Sequence, residues 1–313
     1  MNIGLDMMGG DFAPLEAVKG IVAYLEETNN PAQLFLIGDK TAITVLLAEY
    51  DVPASVYTLI PTTQVIEMNE HPTKALREKQ DSSIAKGFGL LKMGKIDSFI
   101  SAGNTGAMLV GTIFSIKTIE GVIRPTVSTI VPRQNGRTGL IMDVGINADC
   151  KPEMLNQFAI LGSGYAQYIL GIDNPRVGLI NIGEEEGKGN LLAQATYPLL
   201  KNNKSINFIG NIEGRDILED KSDVMICDGF TGNILLKLLE SLYPITQRQN
   251  ITHPYLDRFN FEQYGGSPVL GVEKPVIIGH GISGAEAFKN MIMLAEKIVE
   301  SEMLVKMRER LKA

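Results

Sequence analysis

The stretch Ser101-Ala102-Gly103-Asn104-Thr105-Gly106 lies between an apolar run, Phe99-Ile100, and a second apolar segment, Ala107 to Phe114. Strand, glycine-rich turn and helix in that order gather backbone N–H groups at a helix N-terminus. Orphan donors and the helix dipole make such a terminus attractive to anions. Asn104 and Thr105 add side-chain donors, and Gly103 and Gly106 remove Cβ atoms that would hold a ligand off the backbone. The plain alternative is a tight turn with a polar helix cap. A second glycine-rich turn, Gly183 to Asn190, carries the best candidate cation, Lys188. It falls short of a phosphate-binding P-loop: it is one residue too short, and Gly189 stands where Ser or Thr would hold magnesium. Three successive glutamates would also repel a triphosphate. On pattern alone, Lys188 could equally be an exposed loop lysine. Gly279-His280-Gly281-Ile282-Ser283-Gly284 matches a dinucleotide-binding spacing, but no later strand supplies a ribose-binding acid.

Other chemistries lack their residues. His71, His253 and His280 are scattered and not at metal-ligand spacing. No G-x-S-x-G elbow occurs, and no Ser or Cys has an evident base. Cys227 follows the apolar run Val224-Met225-Ile226 and reads as a buried, inert thiol. The expected chemistry therefore has no covalent protein intermediate, no metal and no cofactor. Positioned donors and a lysine must suffice.

The elements that hold these turns read as alternating strands and helices. Asn2 to Asp6, Leu34 to Ile37 and Ser55 to Ile60 are predicted strands, with helices at Leu15 to Glu27 and Lys40 to Glu49. That opening predicts an α/β fold, three-layered α/β/α, with a largely parallel sheet. Further helices are expected at Ile84 to Met93, capped by Asp81-Ser82-Ser83, at Met154 to Leu170, at Leu191 to Leu200 and at Ile234 to Leu242. Thr126 to Val131 and Thr138 to Met142 predict a hairpin. Val177 to Asn181, Ile206 to Ile209, Val224 to Cys227 and Val276 to Ile278 complete the strands. Tyr243 to Gln263, interrupted by Pro244 and Pro254, reads as irregular, and Ser283 to Leu311 as one long final helix. Seven strand ends carry Gly with Asn, Asp or His, and in open α/β sheets such ends line one crevice.

Composition narrows the classes. The 313-residue chain is 44% hydrophobic and has formal net charge −7, which disfavours a general nucleic-acid binder. Trp is absent, so there is little to stack single strands. Two cysteines without a CxxC suit a reduced cytoplasmic chain, and the N-terminus has no signal-peptide pattern. His71 to Lys95 is the most basic segment, with Lys74, Arg77, Lys79, Lys86, Lys92 and Lys95. It reads either as a solvated face or as a dock for an acidic partner.

Several strings together resemble one family. MMGGDFAP at 7–14, REKQDSSI at 77–84, SAGNTGAMLVG at 101–111, RPTVSTIVP at 124–132, LINIGEEEGKGN at 179–190, CDGFTGNILLKLLE at 227–240 and YGGSPVLGV at 264–272 are similar to the bacterial PlsX-type phosphate acyltransferases. These are fatty acid/phospholipid synthesis proteins that act as acyl-ACP:phosphate transacylases. The resemblance runs in order over nearly the whole chain. It implies one domain over 1–313 and a fold like the isocitrate/isopropylmalate dehydrogenases and phosphotransacetylases. It implies a homodimer that uses acyl-ACP and inorganic phosphate. The acyl phosphate product would serve an acyl-phosphate:glycerol-3-phosphate acyltransferase in phosphatidic acid synthesis. By resemblance Lys188 and Asn233 are the catalytic candidates. Gly103, Asn104 and Thr105 are the phosphate or pantetheine-phosphate cradle, with Ser82, Ser83 and His280 behind them. Arg77 and Lys86 are the expected ACP contacts. Family members often carry a longer basic and apolar insertion where this chain has Tyr243 to Gln263, so membrane contact is expected to be at most peripheral. Two alternatives stay open: a phosphotransacetylase-type enzyme using CoA thioesters, and a silent thioester- or ACP-binding protein on the same fold.

Overall fold

Ile3, Leu5, Leu34, Leu36, Phe99, Ile100, Val276 and Ile277 have no exposed surface. Near-continuous apolar runs of this kind are what strands need when helices cover both faces of a parallel sheet. The computed structural model describes residues 1–312 and divides them into two units. Unit 1 is Met1–Lys117 with Phe261–Glu300, and unit 2 is Thr118–Asn260 with the C-terminal segment from Ser301.

Unit 1 begins with β1 (Asn2–Asp6), α1 (Leu15–Glu27), β2 (Gln33–Gly38), α2 (Lys40–Glu49) and β3 (Tyr57–Pro61). It continues with α3 (Pro72–Glu78), α4 (Ser83–Lys92), β4 (Ser98–Ser101) and α5 (Thr105–Ser115). Unit 2 follows with the hairpin β5 (Thr126–Pro132) and β6 (Thr138–Met142), then α6 (Pro152–Tyr168) and β7 (Arg176–Ile180). Next come α7 (Leu191–Asn202), β8 (Asn207–Ile212), β9 (Val224–Ile226), α8 (Gly229–Arg248) and α9 (Pro254–Asp257). The chain then returns to unit 1 for β10 (Ser267–Leu270), β11 (Val276–Ile278) and α10 (Ala285–Glu300), and ends in unit 2 with α11 (Met303–Lys312).

In unit 1 the strand order is β3-β2-β1-β4-β11-β10, parallel except for the β10–β11 pair. Helix α10 packs on α1 and on β4, and α4 packs on β1, β2 and β4 with α5 beside it. Close packing leaves no room at Gly20, where a Cβ would sit 2.4 Å from the Cβ of Phe288, or at Gly87, 2.2 Å from the Phe99 ring. In unit 2 the order is β5-β6-β9-β7-β8, parallel except for the hairpin. Helix α6 lies on β6, β7 and β9, with α7 and α11 against it. The α/β class and the mostly parallel sheet are as the sequence predicts.

Four elements differ from that reading. Helix α8 starts at Gly229 and runs through Pro244 to Arg248, so much of the supposedly irregular segment is helical. A proline removes one i→i−4 bond and costs about 3 kcal/mol; the rest of a 20-residue ladder carries it. Strand β10 was not expected, because its run Ser267-Pro268-Val269-Leu270 is short and contains a proline. Its Pro268 stands opposite Ile277 in the antiparallel pair with β11. Helix α3, opened by Pro72, was read only as part of a charged stretch. The long final helix is two helices: Glu302 takes a φ of +53°, in the left-handed region, and breaks the ladder.

Candidate functional site

In unit 1 the carboxyl ends of the neighbouring strands β1, β4 and β11 bring three of the expected turns together. The Asp11 N–H donates to the Gly281 carbonyl at 2.7 Å, tying the β1 turn to the β11 turn. Gly9 faces Gly103 so closely that a Cβ on it would lie 2.5 Å from the Gly103 nitrogen. At the centre is Asp6, the last residue of β1, almost wholly buried. Its carboxylate accepts from the Ser101 hydroxyl at 2.7 Å and from the Met8 N–H at 3.0 Å. Ser101 in turn accepts from the Gly103 N–H at 3.0 Å. Burial pushes the Asp6 carboxyl up from its ordinary value, and hydrogen bonds from Ser101, Ser83, Met8 and Gly9 pull it only part of the way back.

Of the sequence-predicted residues of unit 1, Ser83 bonds Asp6 and Gly103 reaches it through Ser101. Asn104 caps α5, its Oδ1 accepting from the Ala107 N–H at 2.9 Å. Its Nδ2 donates to the carbonyls of Glu67, Met68 and Glu70 at 2.9, 3.2 and 3.1 Å. The whole Asn104 side chain is thus committed to the protein, whereas Thr105 begins α5 exposed to solvent. Ser82 caps α4, and Ser83 is buried against Asp6. The His280 ring stands edge-on to Phe261 with centroids 4.5 Å apart, and its backbone N–H donates to the Ser283 hydroxyl at 3.0 Å. Arg77 on α3 and Lys86 on α4 are both exposed, and Lys86 pairs with Asp81 at 3.1 Å. Lys79 is taken by Glu70 and the Val65 carbonyl.

In unit 2, β6, β9 and β7 lie side by side and parallel, and their carboxyl ends gather a second set of turns. Asp143, fully buried, holds its own loop: its carboxylate accepts from the N–H groups of Val127, Gly145, Ile146 and Asn147. Asn147 donates its side-chain amide to Asp143 at 2.8 Å and to the Pro125 carbonyl at 2.9 Å. Against this loop runs the start of α8. Asp228 caps the helix by accepting from the Thr231 N–H at 2.8 Å. Gly232 is pressed onto the Asp143 carbonyl, where a Cβ would be only 1.8 Å from the oxygen. Asn233 sits in the second turn of α8 rather than before it; it is exposed, and its Nδ2 donates to the Val144 carbonyl at 3.1 Å.

The Lys188 loop follows β7. Asn181 at its base donates to the Lys188 carbonyl at 3.0 Å, and Gly189, at φ +94°, passes so close to Asn181 that a Cβ would meet its Oδ1 at 2.3 Å. Of the three glutamates, Glu184 pairs with Lys221, and Glu186 with Lys201 at 2.8 Å. Lys188 itself is exposed and has no ion-pair partner among the described residues. The Lys188 loop and the first turns of α8 share a cavity of about 570 Å³, bordered by Asn181, Gly189 and Asn190 on one side and by Asp228 and Thr231 on the other. Neither cysteine is poised to attack. Burial pushes the Cys227 thiol far up and the Cys150 thiol to about 12.

Asp6 was missed by the sequence reading, and Asp143 was noticed only as part of one of the strand-end turns. Their only signal is an acid directly at the end of an apolar run, where an unpaired charge would be costly. Among the described residues, no group of His, Cys, Asp and Glu is placed to hold a metal ion, and no helix is long and apolar enough to cross a membrane.

A model of the family described as fatty acid synthesis protein matches residues 1–306. A phosphate acyltransferase of Dictyoglomus turgidum is 42% identical over 330 residues, covering 99% of this chain and 98% of that protein. One of Aquifex aeolicus is 42% identical over 332 residues, covering 100% and 97%. Among solved structures, a phosphotransacetylase from Streptococcus pyogenes superposes with TM-score 0.68 at 19% identity, over 96% of this chain and 94% of that one. A putative 4-hydroxythreonine-4-phosphate dehydrogenase from Salmonella typhimurium gives 0.56 at 14%, over 95% and 99%. These structural likenesses concern the fold, which is that of phosphotransacetylases and related dehydrogenases.

Proposed function

The chain belongs to the fatty acid synthesis protein family, and on that premise we propose that it is an enzyme transferring an acyl group to inorganic phosphate. The observation that carries the reading is Lys188. Its loop neighbours Glu184 and Glu186 have lysines of their own, which leaves the Lys188 ammonium available to an anion beside a helix-lined cavity. The acyl donor is the thioester of an acyl carrier protein. A phosphate oxygen attacks the thioester carbonyl, negative charge grows on the carbonyl oxygen, and the carbon–sulfur bond breaks to release the carrier thiol. Lys188 orients the phosphate and balances developing charge. Asn233 Nδ2, with one hydrogen on Val144, has a second to offer the carbonyl oxygen or the phosphate. Neither step needs a covalent enzyme intermediate, because fixed donors supply the stabilisation.

In unit 1 the Gly103-Asn104-Thr105 turn holds a phosphate group through its N–H donors and the Thr105 hydroxyl. Asn104 shapes that turn, Ser82 and Ser83 support it from α4, and His280 stands at the β11 turn. Arg77 and Lys86 receive the acidic carrier. The enzyme works as one functional domain in a cytoplasmic homodimer with at most peripheral membrane contact. Its acyl phosphate passes to a glycerol-3-phosphate acyltransferase for phosphatidic acid synthesis.

The test is release of free carrier thiol from acyl-ACP and phosphate by the purified protein, with acyl-CoA run in parallel. Lys188→Ala should lower turnover by about 10²–10³ with an unchanged melting temperature, the usual worth of one fixed transition-state donor. Wild-type turnover in a normally folded variant would remove Lys188 from the chemistry. Faster reaction with acyl-CoA would reassign the donor.

A further inference from the structure

The unit 2 cavity has an unusual division of labour in its walls. Most of its polar side-chain atoms are already engaged within the protein. Asn181 accepts from the Ile182 N–H at 2.8 Å and donates to the Lys188 carbonyl. Asn190 caps α7 by accepting from the Ala193 N–H at 2.8 Å, and Asp228 is bound by both the N–H and the hydroxyl of Thr231. What the cavity offers a guest is therefore apolar: Leu155, Leu179, Ile180, Leu192, Ala193 and Leu235. Two helix N-termini, those of α7 and α8, open on the same space. At its mouth Ile182 is 82% exposed, and Leu191, between the lining residues Asn190 and Leu192, is 86% exposed. Apolar side chains left in water beside an apolar cavity mark a place that a ligand covers.

We infer that this cavity takes the hydrocarbon arm of the acyl group, with the carbonyl end held toward the Lys188 loop. The apolar wall calls for a guest that is apolar along its length, and the exposed Lys188 of the adjoining loop for one with developing negative charge at one end. A free phosphate has no use for the leucines, and a hydrocarbon chain alone has no use for the lysine. The depth of the cavity then sets which chain lengths are accepted. Ala193, in the first turn of α7, and Leu235, on α8, are the residues whose size fixes that depth. The inference rests on the proposed transfer reaction for the identity of the guest, so its test uses binding rather than turnover.

The experiment titrates wild-type protein with non-hydrolysable acyl-pantetheine thioethers, from acetyl to palmitoyl, by calorimetry. Affinity should rise by about fourfold for each methylene that enters the cavity and then level off. Ala193→Phe and Leu235→Trp, each checked for a wild-type fold by circular dichroism, should shift the levelling-off to shorter chains and lower the ratio of long-chain to short-chain affinity. Leu235→Trp on the half-buried helix face keeps the test open if Ala193→Phe does not fold. Affinity indifferent to chain length, or a levelling-off that a folded variant leaves in place, overturns the inference. Turnover with phosphate is scored separately. Its absence in the wild type would remove the transfer reading, while chain-length-dependent binding that both variants alter would still support the cavity assignment.

Discussion

Asn104 illustrates how a residue picked out for chemistry can do its work indirectly. Its type and its place after Gly103 suggested a ligand donor, yet both ends of its amide are spent on the α5 cap and the 67–70 loop. Losing a helix cap costs about 1 kcal/mol, and carbonyls stripped of a buried donor cost about 1–3 kcal/mol more. Asn104→Ala should therefore lower unfolding free energy by about 2–4 kcal/mol in denaturant titrations, whereas Thr105→Ala, at an exposed position, should change it little. An unchanged midpoint for Asn104→Ala would return the residue to a pure ligand role. Lys188 and Asn233 stood out as candidates because family strings and glycine-rich turns surround them. Asp6 was not, because its partner Ser101 is 95 residues away and pairing at that range leaves no local pattern.

At the scale of elements, the strands were readable wherever apolar runs were buried on both faces, and the hairpin β5–β6 was readable from its turn residues. Elements that broke local rules were not: β10 holds a proline, and α8 continues through one. Phe288, Ile292, Ala295 and Met303, which would share one face of a single final helix, are buried inside the chain. Nor did the sequence disclose what anchors the hairpin. Arg133, with no exposed surface, reaches Asp220 at 3.2 Å and Asp223 at 3.3 Å, and Arg176 binds both acids. Arg176 and Arg133 hold the Asp220 carboxyl below its ordinary range; for Asp223 burial pushes upward, but the two guanidinium groups outweigh it. Groups held low contribute stability that is complete above the ordinary carboxylate pKa of about 4 and is lost as pH falls through the lowered values. Melting temperature should drop steeply below about pH 4, and Asp223→Asn should flatten that drop. Equal pH profiles for the two proteins would show that the cluster contributes nothing to acid stability.

The whole molecule carries net charge −7, so the acidic carrier proposed as donor would meet repulsion except at a local patch. Within the basic segment Lys79 and Lys86 are partly neutralised by Glu70 and Asp81, while Arg77 is 80% exposed with only a 3.9 Å contact to Glu78. Arg77→Glu should accordingly raise KM for acyl-ACP more than Lys86→Glu does, and rising ionic strength should weaken both effects, since exposed charges are screened beyond about 8–10 Å. A KM for acyl-ACP that neither reversal alters would locate the carrier elsewhere. The path of the chain between its units has a consequence for biosynthesis. Strand β11 pairs with β4, and α10 packs on α1, but both lie after residue 260, beyond the main stretch of unit 2. A ribosome therefore delivers the strands and helices of unit 2 up to α9 while unit 1 still lacks one of its inner strands. Nascent chains arrested at residue 260 should leave β1 and β4 open to protease, with protection appearing only once the segment through Glu300 has emerged. The half that is translated first thus waits for strands made after most of the other half.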